Sequence, residues 1–318
     1  MIDIRQTYEQ PLLSKLALKY SNRELIASKI FPWVPVPTDQ IKYPKWDRGA
    51  FFKRANTAYG ARSRANELEL KVTKASHELK HRGLGAWIDD DERRLSAGIC
   101  DPRAAKMELL QDAMLLDLEL EVSSKLLTAG SYASTNKATL SGSDQFSHAS
   151  SDPKATILAA QDAMIKRPNK MVVGRQVHSK ITTNPKVLEA VKYTDGAIKA
   201  LEYKKLADYF EVDEYIVAEG LYDTAAEGQT ESLSYIWGKF CWLGYVAPNP
   251  NPVSMMGQPS FGYMPISREK GNLWRVYTKS PDPTMGVGDG MEYVKVDATY
   301  ELLVCAYDLG YLFTAAVA

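Results

Sequence analysis

Five consecutive residues, His77-Glu78-Leu79-Lys80-His81, fit the pattern H-E-x-x-H. On a helix this spacing places two histidine ligands for zinc one turn apart, with the glutamate available as a general base. The residues before it, ELELKVT at 67–73, alternate polar and apolar side chains, which is typical of a half-buried strand. Lys80 also puts a cation beside one proposed ligand, and Trp87 stands where the longer zinc motif has its third histidine. A zinc hydrolase that uses His77, Glu78 and His81 is therefore the least favoured of the three functional hypotheses that the sequence suggests, and the other two are given below.

Two other stretches contain residue types that could bind a ligand. The glycine-rich run at 286–290 lacks the G-x-G-x-x-G spacing and lies between two strand patterns, so it predicts a hairpin turn. The acidic run at 89–92 could bind Ca²⁺, but it lacks the alternating ligands and the glycine of an EF-hand loop. We interpret this run as a solvated helix start. The motifs therefore predict no enzymatic activity, no cofactor and no metal.

The composition is that of an ordinary folded protein. The 318 residues are 45% hydrophobic and 25% charged, and the formal net charge is zero, so nothing global indicates a nucleic acid or membrane partner. No apolar run is long enough to span a membrane, and the first ten residues contain no secretory signal. The three cysteines are scattered and odd in number, which favours a reducing, intracellular origin. Composition thus leaves a folded protein of two or three domains.

The element on which the rest depends is a long helix predicted at 102–129. Asp101-Pro102 provides an N-cap and a first helical residue, and Gly130 provides a stop. One predicted apolar stripe consists of Leu109, Ala113, Leu116, Leu120 and Leu127, widened by Leu110, Met114 and Leu126. The more polar side carries Glu108, Asp112, Glu119 and Glu121. We expect the stripe to pack under a sheet.

The first 88 residues divide into an arm and a basic loop. In the arm, Leu12, Leu16 and residues 19–26 predict one or two helical turns, with Asn22 as a cap, and a proline-rich apolar strap containing Phe31 and Trp33 follows. In 38–88 the basic residues outnumber the acidic ones, whereas acids predominate in 89–121. One interpretation is two solvated faces. The other is that the basic loop of one copy lies on the acidic helix of another.

The remainder predicts a mixed α/β region followed by long strands. We predict strands at 170–174 and 214–220, helices at 175–181 and 203–210, and a long apolar strand at 236–246. A helix is predicted from Lys154 to Lys166, after Asp152-Pro153. From about residue 260 the pattern changes to long strands. The predicted class is α+β.

The order of these parts resembles the major capsid proteins of tailed double-stranded-DNA bacteriophages, whose fold is shared with encapsulins. The segments that carry the resemblance are ASKIFPWVPV at 27–36, IKYPKWD at 41–47, SHELKH at 76–81, IDDDER at 88–93, the long helix, LSGSD at 140–144, SDP at 151–153, RPNKMVVG at 167–174, LADYF at 206–210, the strand with Trp237-Gly238, and DLGYLF at 308–313. Their order is more specific than any one of them. In this family the segment with His77 and His81 leads out of the extended loop, which also disfavours zinc.

The resemblance implies an N-terminal arm, an extended β-hairpin loop, a peripheral domain with a long spine helix and an axial α/β domain. The corresponding ranges are 1–36 for the arm, 37–88 for the loop, 89–159 and 261–318 for the peripheral domain with its spine helix at 102–129, and 160–260 for the axial domain. Candidate residues at subunit interfaces are Phe31, Trp33, Arg54, Arg62, Arg64, Asp112 and Glu119.

The function implied by the resemblance is structural. Copies of the chain would form hexamers and pentamers of an icosahedral shell around double-stranded DNA, assembled in the host cytoplasm and retained in the virion. Because only a short arm precedes the loop, we expect a separate scaffolding protein, together with a portal and diffuse contacts between the shell and packaged DNA. The alternative is an encapsulin-like compartment around a cargo enzyme.

Overall fold

A computed structural model describes most of the chain. The described residues are 25–46, 52, 54–59, 64, 66–67, 72–96, 101–194, 203–226, 228–248, 259–267, 274–282, 284–286 and 290–318. The helices are α1 (Ala27–Ile30), α2 (Asp90–Ser96), α3 (Pro102–Leu127), α4 (Pro153–Ala163), α5 (Arg175–Thr183), α6 (Pro185–Thr194) and α7 (Tyr203–Phe210). The strands are β1 (Trp33–Val36), β2 (Gln40–Trp46), β3 (Val72–Glu78), β4 (Lys80–Ile88), β5 (Lys137–Thr139), β6 (Lys170–Gly174), β7 (Glu214–Ala218), β8 (Leu221–Asp223), β9 (Leu233–Tyr235), β10 (Cys241–Gly244), β11 (Gly262–Ser267), β12 (Arg275–Asp282), β13 (Met291–Tyr300), β14 (Leu303–Val304) and β15 (Gly310–Thr314).

The spine helix α3 begins and ends close to the predicted positions. The side chain of Asp101 accepts a hydrogen bond from the backbone N–H of Arg103 at 3.0 Å, and Pro102 is the first helical residue. This arrangement satisfies one of the N–H groups that a helix start leaves without an intrahelical acceptor. The helix ends at Leu127, and a short 3₁₀ turn at Ala129–Ser131 follows. The predicted long helix is confirmed.

The side of α3 that the sequence predicts as the centre of the buried stripe is not the most deeply buried side. The most deeply buried apolar side chains recur every four residues, at Leu110, Met114, Leu118, Val122 and Leu126. Leu109 is 63% exposed and Ala113 is also exposed. The helix carries apolar residues on two opposite sides, so periodicity alone could not select the side that packs. The side chosen is the one that contacts β4 and β13.

One sheet supports α3 and receives the strap. Its order is β1-β11-β13-β12, and β4 and β14 pair with β13 and β11 respectively. All nine residues of β4 pair antiparallel with β13, from Lys80 opposite Tyr300 to Ile88 opposite Glu292. Ile88, Leu110, Val294 and Val296 form the core between these strands and the helix. The late strands therefore return to cover a helix that precedes them by more than a hundred residues.

The strands of the extended loop form a separate two-stranded ribbon. β2 pairs antiparallel with β3, from Gln40 opposite Glu78 to Trp46 opposite Val72. Among the described residues neither strand pairs with any other strand. Of the strand predicted at 67–73, residues 68–71 lie outside the described part, and Val72 and Thr73 belong to β3.

A second sheet has the order β5-β15-β10-β6-β7 and packs against helices α4 to α7. The predicted strands at 170–174 and 214–220 correspond to β6 and β7, and the predicted helices correspond to α5 and α7. β5 and β15 lie outside the range 160–260 but are hydrogen-bonded into this sheet. The domain boundaries themselves remain a prediction.

The long strand predicted at 236–246 is shorter in the structure. Only Cys241–Gly244 is a strand, and all four of its residues are buried. Gly238, with φ of +54°, turns the chain before it. A glycine tolerates this left-handed conformation without the steric cost that a Cβ atom imposes. The apolar residues before the turn are buried in the core without being part of the strand.

Glu119 lies inside the subunit, which contradicts its predicted place on a polar helix side. It is 1% exposed and accepts three hydrogen bonds, from the backbone N–H of Ile26 at 2.9 Å, the backbone N–H of Ala27 at 2.7 Å and Nε1–H of Trp237 at 2.6 Å. Burial raises the pKa of the Glu119 carboxyl, and the hydrogen bonds from Trp237 and the two amides oppose that rise. The carboxylate therefore joins the arm, the spine helix and the turn before β10.

Phe31 is also internal, so its assignment to a subunit interface was wrong. Its side chain is fully buried and meets Phe261 edge-on, with ring centroids 6.1 Å apart. A Cβ atom on Gly262 would lie 2.3 Å from the Phe31 ring, so the ring packs directly on the backbone of β11. The strap is held on its own subunit because β1 pairs in parallel with β11.

We predict that Leu118→Ala lowers the free energy of unfolding of unassembled subunits by about 2–5 kcal/mol, because it opens a cavity under the sheet. The matched control is Leu109→Ala on the opposite side of the same helix, which should change it by less than about 0.5 kcal/mol. Urea unfolding monitored by circular dichroism measures both. Equal losses would contradict the assignment of the buried side.

We predict that Glu119→Gln lowers the free energy of unfolding by about 1–3 kcal/mol, because its amide NH₂ must face a buried N–H donor. The pKa of Glu119 is raised from 4.5 in the folded protein, so the folded state binds the extra proton. The stabilisation that comes from this bound proton is complete below the pKa of Glu119 in the unfolded chain. It is lost as pH rises through the pKa of Glu119 in the folded protein. The difference between the parent and the Gln variant should therefore grow as pH falls from 7 towards 4.5.

The control for this pH series is Asp162→Asn, which removes an exposed carboxylate from helix α4. We expect its stability to remain within about 0.5 kcal/mol of the parent across the same range. A pH-independent difference between the parent and Glu119→Gln would show that the carboxyl does not titrate as described.

Candidate assembly surfaces

The H-E-x-x-H segment does not form a zinc site of the predicted kind. His77 lies in β3, where it pairs with Ile41 of the loop ribbon, and His81 lies in β4 of the large sheet. Nδ1 of His81 is 2.9 Å from Oγ1 of Thr299 on the neighbouring strand. No group of three His, Cys, Asp or Glu side chains suited to a metal occurs among the described residues. The strand pattern before His77 was the useful sequence signal.

Trp33 is the exposed residue of β1. Its side chain is 51% exposed, whereas Val34 and Val36 on the same strand are buried. The backbone N–H of Met264 donates to the carbonyl of Pro32 at 2.9 Å, which fixes the strand beside β11. β1 is the outermost strand on this side of the sheet in the part of the chain that the structure describes. Trp33 remains a predicted interface residue.

The described residues at the tip of the extended loop are exposed. Arg54 and Arg64 are both exposed, and Arg62 lies outside the described residues. The side-chain amide of Asn66 donates to the carbonyl oxygens of Asn56 at 2.7 Å and Ala58 at 3.3 Å. These bonds join Asn66 to Asn56 and Ala58, which lie close in sequence to Arg64 and Arg54.

The acidic side of the spine helix is smaller than the sequence predicted. Asp112 is exposed, but Glu119 is buried. Two further carboxylates contact Arg82 of β4, with Glu121 at 2.6 Å and Asp117 at 3.6 Å from its guanidinium nitrogens. Their role is therefore partly internal, since they hold the strand that leads out of the loop against the helix. Asp112 remains a candidate for contact with a neighbour.

The sheet face that points away from α3 was not identified from the sequence. Gly83 and Gly85 leave this part of β4 without bulk, and a Cβ on Gly85 would meet the hydroxyl of Tyr293 at 2.0 Å. Trp87, 39% exposed, packs against Tyr293 with ring centroids 4.7 Å apart. Glycines within a strand often mark a place where another element approaches closely. Their alternation with larger residues in β4 was the signal available in the sequence.

A groove runs beside α1 at the end of the second sheet. Lys170 crosses it, donating from Nζ to the carbonyl of Lys29 at 2.9 Å and pairing with Glu214 at 2.9 Å. Asn169 also borders the groove. Its Nδ2 donates to the carbonyl of Val246, and its Oδ1 accepts from the backbone N–H of Val246. These polar groups connect the arm to the second sheet, so their role is structural.

The described cysteines are not in environments that activate thiols. Burial raises the pKa of Cys241 well above its usual range and that of Cys305 to about 12. Both thiols are therefore protonated at neutral pH, and a protonated thiol is a poor nucleophile. Among the described helices, none has the length and apolarity needed to cross a membrane.

The chain is similar along almost its whole length to two curated phage proteins. It is 31% identical over 311 residues to the major capsid protein of Pseudomonas phage JBD67, covering 97% of both chains. It is 28% identical over 321 residues to the major capsid protein of Burkholderia phage BcepMu, covering 96% of this chain and 95% of the relative. No protein-family model matches the sequence.

Solved structures show the same fold. A phage-related protein from Bordetella bronchiseptica RB50 superposes with a TM-score of 0.70 at 24% identity, covering 96% of this chain and 97% of that one. The capsid of cyanophage P-SCSP1u gives 0.61 at 9% identity, covering 93% and 89%. The SrpI encapsulin of Synechococcus elongatus gives 0.57 at 10% identity, covering 93% and 92%.

These likenesses agree with the arrangement of arm, loop ribbon, spine helix and two sheets. The identity of 31% extends over the arm, the spine helix and both sheets rather than one motif. The function of such a protein is structural, as a subunit of a capsid shell. The chain belongs to the phage major capsid proteins.

Proposed function

We propose that copies of this chain assemble into hexamers and pentamers of an icosahedral shell that encloses the double-stranded DNA of a phage. The observation that carries this proposal is the 31% identity to a phage major capsid protein over 97% of both chains. Shell formation follows the general rule that identical contacts repeated by symmetry give strong assemblies from modest interfaces. The assembled protein resides in the virion, and assembly takes place in the host cytoplasm.

The proposed partners are other copies of the chain, a separate scaffolding protein, a portal and the packaged DNA. Contact with DNA is diffuse and salt-sensitive, because it is made by individual lysine and arginine side chains that neutralise phosphates. We assign no enzymatic activity and no cofactor. The described thiols and the strand context of His77 and His81 support this assignment.

The extended loop is proposed to dock on a neighbouring subunit. An isolated two-stranded ribbon is at best marginally stable in water, so β2 and β3 gain stability by lying on another surface. Exposed Arg54 and Arg64 supply positive charge at the tip, and Arg62 adds to it by sequence. Exposed Asp112 on the spine helix supplies a complementary charge. Such charges set the register and encounter rate of an interface more than its affinity.

We predict that Arg62→Glu combined with Arg64→Glu reduces the yield of shells at least about tenfold, because like charges then meet at the loop contact. Sedimentation and negative-stain microscopy measure shells, and circular dichroism verifies that the subunit keeps its helix content. The matched control is Arg62→Lys with Arg64→Lys, which keeps both charges and should assemble. Normal shells from the Glu variant would refute the loop docking.

The contents of the particles test the functional assignment as a whole. We predict that particles from phage-producing cells contain nuclease-resistant double-stranded DNA and a portal, because both curated relatives, similar along almost their whole length, are major capsid proteins of phages. Nuclease treatment, extraction and mass spectrometry of purified particles measure this. Particles that contain a stoichiometric enzyme and no DNA would instead establish the encapsulin-like alternative.

A further inference from the structure

The chain passes from the extended loop to the large sheet through a single residue, Leu79. β3, which pairs with β2, ends at Glu78, and β4, which pairs with β13, begins at Lys80. The strand partner therefore changes from one side of Leu79 to the other. On the opposite strand of the loop, the corresponding connection is the segment 37–39 between β1 and β2.

The residues that follow Leu79 are held by the body of the subunit, by which we mean α3 and the two sheets. Nζ of Lys80 lies 3.2 Å from the carboxylate of Glu301, and the guanidinium of Arg82 lies 2.6 Å from the carboxylate of Glu121 on α3. All nine residues of β4 pair with β13. The start of β4 is therefore fixed both to the sheet and to the spine helix.

The base of the loop contains a small apolar cluster. Leu79 is 3% exposed and packs with Val36, the last residue of β1, and with Ile41 of β2. These three side chains form a cluster of their own, separate from the larger cores. The backbone N–H of Leu79 also donates to the carbonyl of Asp39 at 2.9 Å, so the two connections of the loop are bonded to each other.

The cluster lies where the ribbon joins the body. Among the described strands, β2 and β3 pair only with each other. A change in the angle between the ribbon and the large sheet would separate Leu79 from Val36 and Ile41. Such a change exposes apolar surface to water and is therefore unfavourable.

We propose that Leu79 is a positioning residue for the extended loop, and that its side chain, buried with Val36 and Ile41, fixes the direction in which the ribbon leaves the subunit. The start of β4 is immobilised on one side of Leu79, and a self-paired ribbon begins on the other side. The middle position of the H-E-x-x-H segment, rather than its histidines, then carries the function of this segment.

One consequence of this assignment rests on the proposed function. A loop that docks on a neighbouring subunit binds more tightly when its direction is fixed beforehand, because less conformational freedom is lost on docking. Leu79→Ala should therefore lower the yield of shells about tenfold. The direction of the loop itself is a property of one chain and is measured without assembly.

The test measures the distance distribution between two spin labels in unassembled subunits by pulsed electron paramagnetic resonance. One label replaces Tyr59 in the loop, which is 63% exposed, and the other replaces Ser124, an exposed residue of α3. Both labels are attached through a noncanonical amino acid, so the native cysteines need no replacement. Leu79→Ala should widen the distribution at least about twofold, because the truncated side chain no longer fills the cluster.

Three further variants separate positioning from general stability. Leu79→Met keeps an apolar side chain of similar volume and should retain the narrow distribution of the parent. Ile41→Ala removes the partner on the other strand and should widen the distribution as Leu79→Ala does. Leu118→Ala opens a cavity under the sheet away from the loop, so it should lower the stability of the subunit and leave the distribution unchanged. Circular dichroism verifies the helix content of each variant.

An unchanged distribution in Leu79→Ala would overturn the proposal, and if that variant does not fold, the result for Ile41→Ala decides. Equal widening in Leu118→Ala would also overturn it, because the effect would then reflect stability alone. A wider distribution in Leu79→Ala with a normal yield of shells has a different meaning. It would support the positioning role of Leu79 and refute the docking of the loop on a neighbour.

Discussion

The buried carboxylate of Glu119 holds three parts of the subunit at one point. Its two oxygens accept the first N–H groups of the arm helix α1 and the indole N–H of Trp237. A helix start leaves such N–H groups without partners, and burying them unpaired would be costly. The acceptor comes from the middle of α3. The arm and the turn before β10 are therefore both bonded to the same residue of the spine helix.

The spine helix packs with residues of both sheets. One side of α3 lies on β4 and β13, where Leu110 packs with Val294 and Val296. Leu116 and Leu120, on another side of α3, are partly buried against the larger cluster that includes Trp242 of β10. Arg82 adds a polar contact between β4 and α3, through Glu121 and Asp117. A strand that leads out of the extended loop is thus anchored to the same helix that anchors the arm.

A shell subunit needs both a rigid body and elements that remain available to neighbours. The body of the subunit consists of α3 and the two sheets with their cores. The available elements are those that the described contacts leave exposed: the ribbon β2–β3 pairs only with itself among the described residues, and Trp33 of β1 is 51% exposed. Such elements bury little apolar surface alone and gain stability when copies associate. The fold of the subunit therefore determines which elements are available for assembly.

The sequence by itself determined the position of the spine helix and of several strands, and which family they belong to. Asp101-Pro102 fixed the start of α3, and the apolar run at 170–174 fixed a buried strand, because capping and backbone chemistry act over a few residues. The strand pattern before His77 also separated a structural segment from a zinc motif.

Only the tertiary structure decided which apolar side of α3 is buried, that Glu119 and Phe31 are internal, and that the predicted strand at 236–246 turns at Gly238. The buried helix side, Glu119 and Phe31 each depend on a partner far along the chain: β13 for Leu110, Ile26 and Trp237 for Glu119, and Phe261 for Phe31. Periodicity shows that a helix has an apolar or a polar side. It does not reveal which distant segment will arrive to cover that side.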